Sequence, residues 1–220
     1  MSTLAKKTES APKVRRKPTR AERGEQTRQA LFAAAAAVVG EVGYRDASVA
    51  RITERAGIAQ GTFYNYFPSR QDLFDELLPR MGKTMLAFIR GRIDDDSGGA
   101  ARERQRIDAY FDFLTEAPGF YRILYEAETL APEAHRKHID VVASGYARAL
   151  KRSWERGEIP DFREDELEAL AYMLLAIRGY LSLRYGRGSA GTGVPRGVLN
   201  TYEKLMRRGL FKDATAGNDD

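Results

Sequence analysis

The 220-residue sequence contains no cysteine, only two histidines and a single tryptophan. Without cysteine, neither a disulfide framework nor a thiolate metal site can form, and this composition is typical of proteins in a reducing compartment. A chain of this length buries most of its apolar surface on folding and needs no covalent cross-link. We therefore expect a cytoplasmic protein, and the sequence predicts no cofactor.

Long apolar runs are also missing. The longest, residues 30–39, is about half of the roughly 20 residues that a membrane-spanning helix requires. Arg15 and Arg16 resemble the start of an export signal, but six charged residues separate them from that run, where such a signal is uncharged. The sequence therefore predicts neither a membrane span nor a targeting segment.

Motifs that carry catalysis are missing as well: the sequence has no serine elbow and no P-loop lysine. The stretch GRGSAG, Gly186–Gly191, matches the letters of a dinucleotide loop, but it follows a helical pattern and is predicted as a flexible connection. His135 and His138, with Glu126 and Glu128 nearby in sequence, have a spacing that is also common on ordinary helices. No metal site is predicted, and an enzyme is not favoured.

Positive charge is concentrated near the N-terminus. Residues 1–70 hold 13 Lys/Arg and 6 Asp/Glu, whereas residues 71–220 hold 23 and 25. The first 28 residues carry nine of these cations with few apolar residues, so we predict a disordered basic N-terminal arm at 1–22. A flexible C-terminal tail is predicted at 213–220. Such an arm is either a solvating tail or a contact to nucleic acid.

The rest of the sequence has the apolar spacing of helices, without the alternating runs that predict strands. We predict an all-α fold of about nine helices. Residues 23–70 are predicted to form a helix-turn-helix domain, and residues 71–212 a larger ligand-binding and dimerisation domain.

Local signals outline three helices in the smaller domain. The first ends at Gly43, and the second is capped by Ser48 and ends at Gly57. The third is predicted over residues 60–67, because Pro68 disfavours helical angles at the residue before it. Two short helices joined by a glycine turn are typical of a helix-turn-helix, whose second helix enters the major groove of DNA.

The third predicted helix holds four aromatic rings in five residues. Phe63 and Phe67 are four residues apart and share a face, so we predict that they anchor the helix in the core. Tyr64 and Tyr66 are predicted to point away from the core, where their hydroxyls can reach phosphates or base edges.

Three neighbours of these rings have properties suited to DNA. Gly61 lacks a side chain and lets backbone approach backbone, and Thr62 offers a hydroxyl and a methyl group that can touch thymine. Arg70 is predicted to hold a phosphate.

The segment from Thr27 to Leu78 resembles the DNA-binding domain of the tetracycline-repressor (TetR) family of bacterial transcription regulators. The resemblance depends on the alanine-rich first helix, the Gly-Tyr-x-x-x-Ser step, the Ala-Gly turn and the run Gly-Thr-Phe-Tyr-x-Tyr-Phe. It covers about a quarter of the chain and implies a variable helical regulatory domain in the remainder. By position it also implies a set of DNA contacts, with the first and last of the set on phosphates: Ser48, Gln60, Gly61, Thr62, Tyr64, Asn65, Tyr66 and Arg70.

In the family that the chain resembles, the last two helices pair with their copies in a second subunit. The resemblance therefore implies a homodimer whose interface includes Leu170, Leu174, Ile177 and Leu181. The alternative is that this stripe packs within its own domain. A two-fold dimer predicts a palindromic operator, read by recognition helices about 34–36 Å apart.

A small-molecule cavity is predicted between the helices of the larger domain, although a packed core would use the same residue types. Arg178 is predicted either to bind an acidic ligand or to pair with Glu126 or Glu128, and a structural ion pair is favoured. The predicted lining consists of Phe111, Leu114, Phe120, Tyr121, Tyr125, Val142, Tyr146, Met173 and Arg178.

These features predict a ligand-responsive transcriptional repressor that binds a palindromic operator as a homodimer. A small hydrophobic effector, such as an acyl chain, an aromatic compound or a drug, would release it by shifting the helix near Leu73–Leu86. The alternatives are a co-repressor-dependent regulator and a nonspecific architectural DNA-binding protein.

Overall fold

The computed structural model describes residues 19–185 and 194–210. In that part of the chain the regular structure consists of nine α-helices and one short 3₁₀ helix, Glu164–Glu166, and the all-α prediction is confirmed. The predicted connection at Gly186–Gly191, the tail at 213–220 and residues 1–18 of the arm lie outside the described residues. The helices are α1 Arg20–Val42, α2 Val49–Ala56, α3 Gln60–Phe63, α4 Arg70–Arg90, α5 Gly99–Glu116, α6 Phe120–Leu130, α7 Pro132–Glu155, α8 Leu167–Tyr185 and α9 Arg196–Arg208.

The start of α1 lies earlier than the apolar spacing predicts. The Thr19 side chain accepts a hydrogen bond from the Glu22 N–H, and the Glu22 carboxylate accepts one from the Thr19 N–H. This capping box satisfies two backbone donors at once and begins the helix at Arg20. Residues 20–22, assigned to the arm from the sequence, therefore belong to α1.

The third helix is shorter than predicted. Its α-helical part ends at Phe63, and the Asn65 and Tyr66 N–H groups bond to carbonyls three residues back, at Thr62 and Phe63. Such bonds tighten the chain into turns, and Pro68 excludes a return to helical geometry at Phe67. The predicted helix over 60–67 is therefore corrected to a single helical turn followed by further turns.

Aromatic packing holds the first four helices together. Phe63 and Phe67 are buried, with 0% and 1% of their surface exposed, as predicted for core anchors. The Phe67 ring packs edge-on against Phe32 of α1 at 5.2 Å, and Tyr44 packs against Phe74 of α4 at 4.8 Å. Residues 60–67, called the recognition segment below after their predicted place in the helix-turn-helix, are thus fixed to α1, and α4 closes the same core.

The fourth helix belongs to both parts of the molecule. Ser69 caps it by accepting a hydrogen bond from the Asp72 N–H, and its first turns bury apolar residues against α1. Its last turns pack against α5 and α7 of the larger domain. Pro79 lies between the two halves and removes one backbone hydrogen bond from the helix.

The larger domain is built from α5 to α9. The most extensive contacts within it join α7 to α8, α5 to α9 and α6 to α7. Among the helices of the described residues, none is long and apolar enough to cross a lipid bilayer.

Candidate DNA-binding surface and interhelical cavity

The turn between α2 and α3 depends on Gly57, which has φ 66° in the left-handed region. Its N–H bonds to the carbonyls of Thr53 and Glu54, and the buried Thr53 hydroxyl bonds to the Val49 carbonyl one turn earlier. A side chain would be strained at this φ, so glycine sets the direction in which α3 leaves α2.

Most of the residues predicted to contact DNA are exposed. Tyr64 has 54% of its surface exposed, and Gln60, Gly61 and Asn65 are also exposed, while Thr62 is half-buried. A methyl group placed on Gly61 would meet no atom of the described chain within 4 Å. The start of α3 and the turn after it are therefore open to a large partner, and contact with DNA at these residues stays a prediction.

Tyr66 does not point away from the core as predicted. It is half-buried, packs against the core, and its hydroxyl lies about 4.0 Å from where a Cβ on Gly24 would stand. The turn after Phe63 rotates Tyr66 away from the direction that a continued helix would give it. The two tyrosines therefore lie in different environments.

Arg28 supports the recognition segment from behind. Its Nη2 forms an ion pair with Glu76 of α4 at 2.5 Å, and its Nη1 donates to the Tyr66 carbonyl at 3.4 Å. The guanidinium also lies 4.7 Å from the centre of the Phe67 ring. These partners lie 38 and 48 residues away in sequence and leave no local signal, so the sequence indicates only that Arg28 adds to the charge near the arm.

The two predicted phosphate contacts have internal partners. Ser48 caps α2 as predicted, since its Oγ accepts from the Arg51 N–H. Arg70 Nη1 donates to the carbonyls of Arg45 and Ala47 at 3.3 Å each, so it braces the loop between α1 and α2. The Ser48 hydroxyl proton and the remaining Arg70 donors are still chemically able to bind phosphate.

A cavity of about 530 Å³ lies between α4, α5, α6, α7 and α8. This volume is within the range of sites for drug-sized ligands. Its wall is mostly apolar and includes Met85, Leu86, Ile89, Ile93, Phe120, Leu124, Ile139, Val142, Ala149 and Leu175. The lining charges are Arg90, Arg106, Arg148, Arg152, Arg178 and Asp95.

Four predicted lining residues, Phe120, Val142, Tyr146 and Arg178, stand in this wall. The prediction is wrong for the other five residues, which lie outside this wall: Phe111, Leu114, Tyr121, Tyr125 and Met173.

The reason differs between helices. On α5, Arg106 and Tyr110 line the cavity. Phe111 is buried in the core, and Leu114 is half-buried against that core. On α6, the rings of Tyr121 and Tyr125 pack on each other, with centroids 4.4 Å apart. Met173 is 62% exposed on the outer side of α8.

A buried polar cluster centred on Glu103 forms part of the cavity's boundary. The carboxylate accepts hydrogen bonds from Arg178 at 2.9 Å, Arg106 at 3.0 Å, Tyr202 at 2.6 Å and from the Tyr146 hydroxyl. The cluster thereby joins α5, α7, α8 and α9. The predicted ion pair of Arg178 exists, but its partner is Glu103 rather than Glu126 or Glu128.

The electrostatics of the cluster favour an ionised carboxylate. Burial acts to raise the pKa of Glu103, but the Arg178 and Arg106 guanidiniums and the two tyrosine hydroxyls outweigh it, so the pKa lies below its usual value. Burial also raises the pKa of the Tyr146 hydroxyl well above its usual range. Glu103 is therefore a charged acceptor and Tyr146 a neutral donor.

Comparison with known proteins identifies the smaller domain. Residues 31–77 match the sequence profile of the family described as "Bacterial regulatory proteins, tetR family". These residues span the helix-turn-helix and its support from α1 and α4. This stretch of the chain is a TetR-type DNA-binding domain.

Two curated relatives and one solved structure extend the comparison. The chain is 29% identical over 111 residues to the HTH-type transcriptional activator FasR of Mycolicibacterium smegmatis, covering 50% of each chain. It is 25% identical over 100 residues to the nucleoid occlusion factor SlmA of Haemophilus ducreyi, covering 46% of this chain and 50% of that protein. The matches thus span about half the length of these relatives.

The fold of most of the chain is similar to that of a solved transcriptional regulator. The transcriptional regulator FadR of Bacillus subtilis, solved in complex with stearoyl-CoA, has a TM-score of 0.71 at 17% identity. The alignment covers 83% of this chain and 99% of that structure. The likeness therefore includes the larger domain as well as the helix-turn-helix.

The helix α4 forms one wall of the cavity, and no local pattern in the sequence indicates this. Gly82 of α4 faces the ring of His138 on α7 so closely that a Cβ would stand 2.3 Å from Nδ1. Burial, assisted by the nearby His135, lowers the pKa of His138 to about 4, so the ring is neutral at neutral pH. No cluster of three or more metal-binding side chains occurs among the described residues.

Besides α4, α6 also contacts the TetR-type DNA-binding domain. Gly40 of α1 and Gly119 meet backbone to backbone, and a Cβ on Gly40 would stand 2.7 Å from the Gly119 Cα. Beside this contact, Arg122 donates to the Glu41 carbonyl at 2.7 Å, and Glu126 accepts from the Tyr44 N–H at 2.8 Å. Both α4 and α6 therefore touch the cavity and the DNA-binding domain.

The exposed apolar face of α8 is offset from the stripe predicted as a dimer interface. Leu174 is buried in its own chain, with 4% exposed, and Leu170, Ile177 and Leu181 are half-buried. The exposed large apolar side chains on this helix are Tyr172, Met173, Tyr180 and Leu183. The assignment of Leu174 to a surface is corrected, because this residue packs inward.

Proposed function

We propose that the protein is a ligand-responsive transcriptional repressor that binds a palindromic operator as a homodimer and is released by a small hydrophobic effector. The observation that carries the proposal is that one helix, α4, supports the recognition segment at its start and lines a cavity of about 530 Å³ at its end. A ligand in that cavity acts on the position of the recognition helix through α4.

The proposed DNA contacts are made by the exposed residues between Gln60 and Tyr64, together with Asn65. Tyr64 offers a ring and a hydroxyl in the place where a recognition helix meets base edges. The basic residues at 1–18 add attraction to phosphates that is independent of sequence.

The proposed dimer interface is the outer face of α8. Met173, Ala176 and Tyr180 follow one another at helical spacing and are exposed, so pairing with a second copy would bury them. Tyr180→Asp should yield a monomer in light scattering, whereas Tyr172→Asp, at the edge of the face, should weaken the dimer less. A Tyr180→Asp protein that remains fully dimeric would refute this interface.

Genomic DNA selection tests the DNA-binding proposal. Purified protein is mixed with fragmented genomic DNA, and the bound fragments are sequenced. A palindrome with half-sites one helical turn or a multiple apart is expected, and Tyr64→Ala should lose it while keeping wild-type helicity. Enrichment without any shared sequence would favour the architectural alternative instead.

Filling the cavity tests the effector proposal. Gly179 lines the cavity, and a Cβ there meets no atom within 4 Å, so Gly179→Leu places a side chain in open space. This variant should bind the selected DNA but no longer respond to effector, while Gly179→Ala retains part of the response. A Gly179→Leu protein that responds like wild type would place the effector elsewhere.

The same assay measures which chemical type of effector acts and whether the effector weakens or strengthens DNA binding. The fold shared with a regulator solved with stearoyl-CoA favours an acyl chain over an aromatic compound or a drug. FasR is described as an activator, so the assay scores both release and tightening on DNA. Tightening by ligand would support the co-repressor alternative.

A further inference from the structure

We propose that the cavity binds an amphiphile with one apolar arm and a phosphate-bearing head, and that Arg90, Arg148 and Arg152 hold the head. The inference deepens the proposed function, because it names the ligand class of the same cavity. It follows from where the cavity's charges lie and which of them already have partners.

The charges of the lining are strongly unequal. Five arginines and one aspartate, Asp95, line the cavity. Arg106 and Arg178 share the buried Glu103 carboxylate, which neutralises part of their charge. Arg90, Arg148 and Arg152 form no ion pair with any residue in the described part of the chain. Asp95 is the one acidic residue in the lining, so these three arginines carry more positive charge than it can balance.

The three arginines gather at one end of the cavity. Two contacts fix the register of α4 against α7: Gly82 faces His138, and Leu86 lies within reach of Gly145. Both helices therefore advance in the same direction along the cavity, and one further turn brings Arg90 beside the turn that holds Arg148. Arg148 and Arg152 are four residues apart and share a helix face.

The opposite end offers no charge. There the wall contains Phe120, Met85 and His138, whose lowered pKa leaves the imidazole neutral. The cavity is thus apolar and neutral at one end and cationic at the other. Arg90, Arg148 and Arg152 are exposed, so water solvates their guanidiniums while the cavity is empty. A phosphate group replaces that water by accepting several guanidinium N–H groups at once, whereas a neutral head group brings no opposite charge to them.

Direct binding, measured without DNA, tests the assignment. The single tryptophan, Trp154, lies on α7 two residues after Arg152 and gives a fluorescence signal, with calorimetry as a second readout. Four probes share one acyl chain: palmitoyl-CoA, palmitoyl lysophosphatidic acid, palmitate and monopalmitoylglycerol. The two phosphate-bearing probes distinguish a coenzyme thioester from a lysophospholipid as the source of the head.

At least one phosphate-bearing probe should bind about tenfold or more tightly than monopalmitoylglycerol, and added salt should weaken its binding. Arg148→Gln with Arg152→Gln should weaken it roughly a hundredfold and leave the neutral probe unchanged. Arg156→Gln, which removes an exposed arginine just past α7 and outside the cavity wall, serves as the matched control.

Equal binding of the neutral and phosphate-bearing probes, or a double variant that behaves like Arg156→Gln, would overturn the assignment. The outcome is independent of the proposed function. A probe that binds through the arginines without altering DNA binding contradicts only the effector proposal. Release from DNA by the neutral probe alone contradicts only the head-group assignment.

Discussion

Replacing Gly61 by alanine separates DNA contact from folding. Gly61 is the second residue of α3, is exposed, and has no atom of the described chain within 4 Å of a new Cβ. Because its φ is not in the left-handed region, alanine fits the backbone. The substitution should therefore raise the free energy of unfolding by about 0.4–1 kcal/mol, through the loss of freedom in the unfolded chain.

The same methyl group should weaken DNA binding, since it would stand between the recognition helix and the double helix. The cost expected for disturbing one specific contact is about 1–3 kcal/mol, which corresponds to roughly a ten- to hundredfold loss of affinity. The substitution removes no charge, so the dependence of affinity on salt should keep the wild-type slope. Fluorescence anisotropy on the selected DNA fragment, at several salt concentrations, measures both quantities.

Gly197→Ala is the matched control. Gly197 is also the second residue of its helix, α9, is exposed, and likewise has no atom within 4 Å of a new Cβ. It should show a similar gain in stability with unchanged DNA affinity. If Gly61→Ala binds the fragment as tightly as Gly197→Ala, the start of α3 does not approach DNA closely, and the assigned recognition surface is wrong.

Three further predictions concern the larger domain. Glu103→Gln should lower the free energy of unfolding, measured in urea, by about 3–5 kcal/mol, because it leaves buried arginine charge uncompensated. Since the pKa of Glu103 is lowered in the folded protein, the difference in stability between wild type and this variant should shrink as pH falls below 4.5. His138→Leu should remove a loss of stability of about 3 kcal/mol that wild type shows between pH 6.5 and about 4, where the unfolded chain binds the extra proton. Gly82→Ala should cost about 1–3 kcal/mol through its clash with His138, and the same substitution should cost much less in a His138→Ala background; equal costs in the two backgrounds would show that the two residues do not touch.

Features set by neighbouring residues could be predicted from the sequence. Ser48 caps α2 and Gly57 ends it because capping and left-handed glycine are local chemistry. The burial of Phe63 and Phe67 follows from their shared face. The all-α class and the helix-turn-helix outline rest on signals of this kind.

Features that depend on residues distant in sequence could not be predicted from the sequence. Arg178 pairs with Glu103, 75 residues away, and helical spacing alone does not select among the acidic residues that could reach it. The orientation of Tyr66 depends on turns that replace a helix after Phe63. The cavity wall contains Met85 and Leu86 of α4, because packing against α7 decides which side of that helix meets open space.

The length of α4 gives small movements a large effect. Its 21 residues span about 30 Å, so a tilt of about 6° about the cavity end carries the Arg70 end through roughly 3.4 Å. That displacement equals the distance between successive base pairs along one strand. If a ligand tilts α4 by this angle, as the proposed function requires, residues 60–67 would shift by about one base-pair step and lose their match to the bases of the operator.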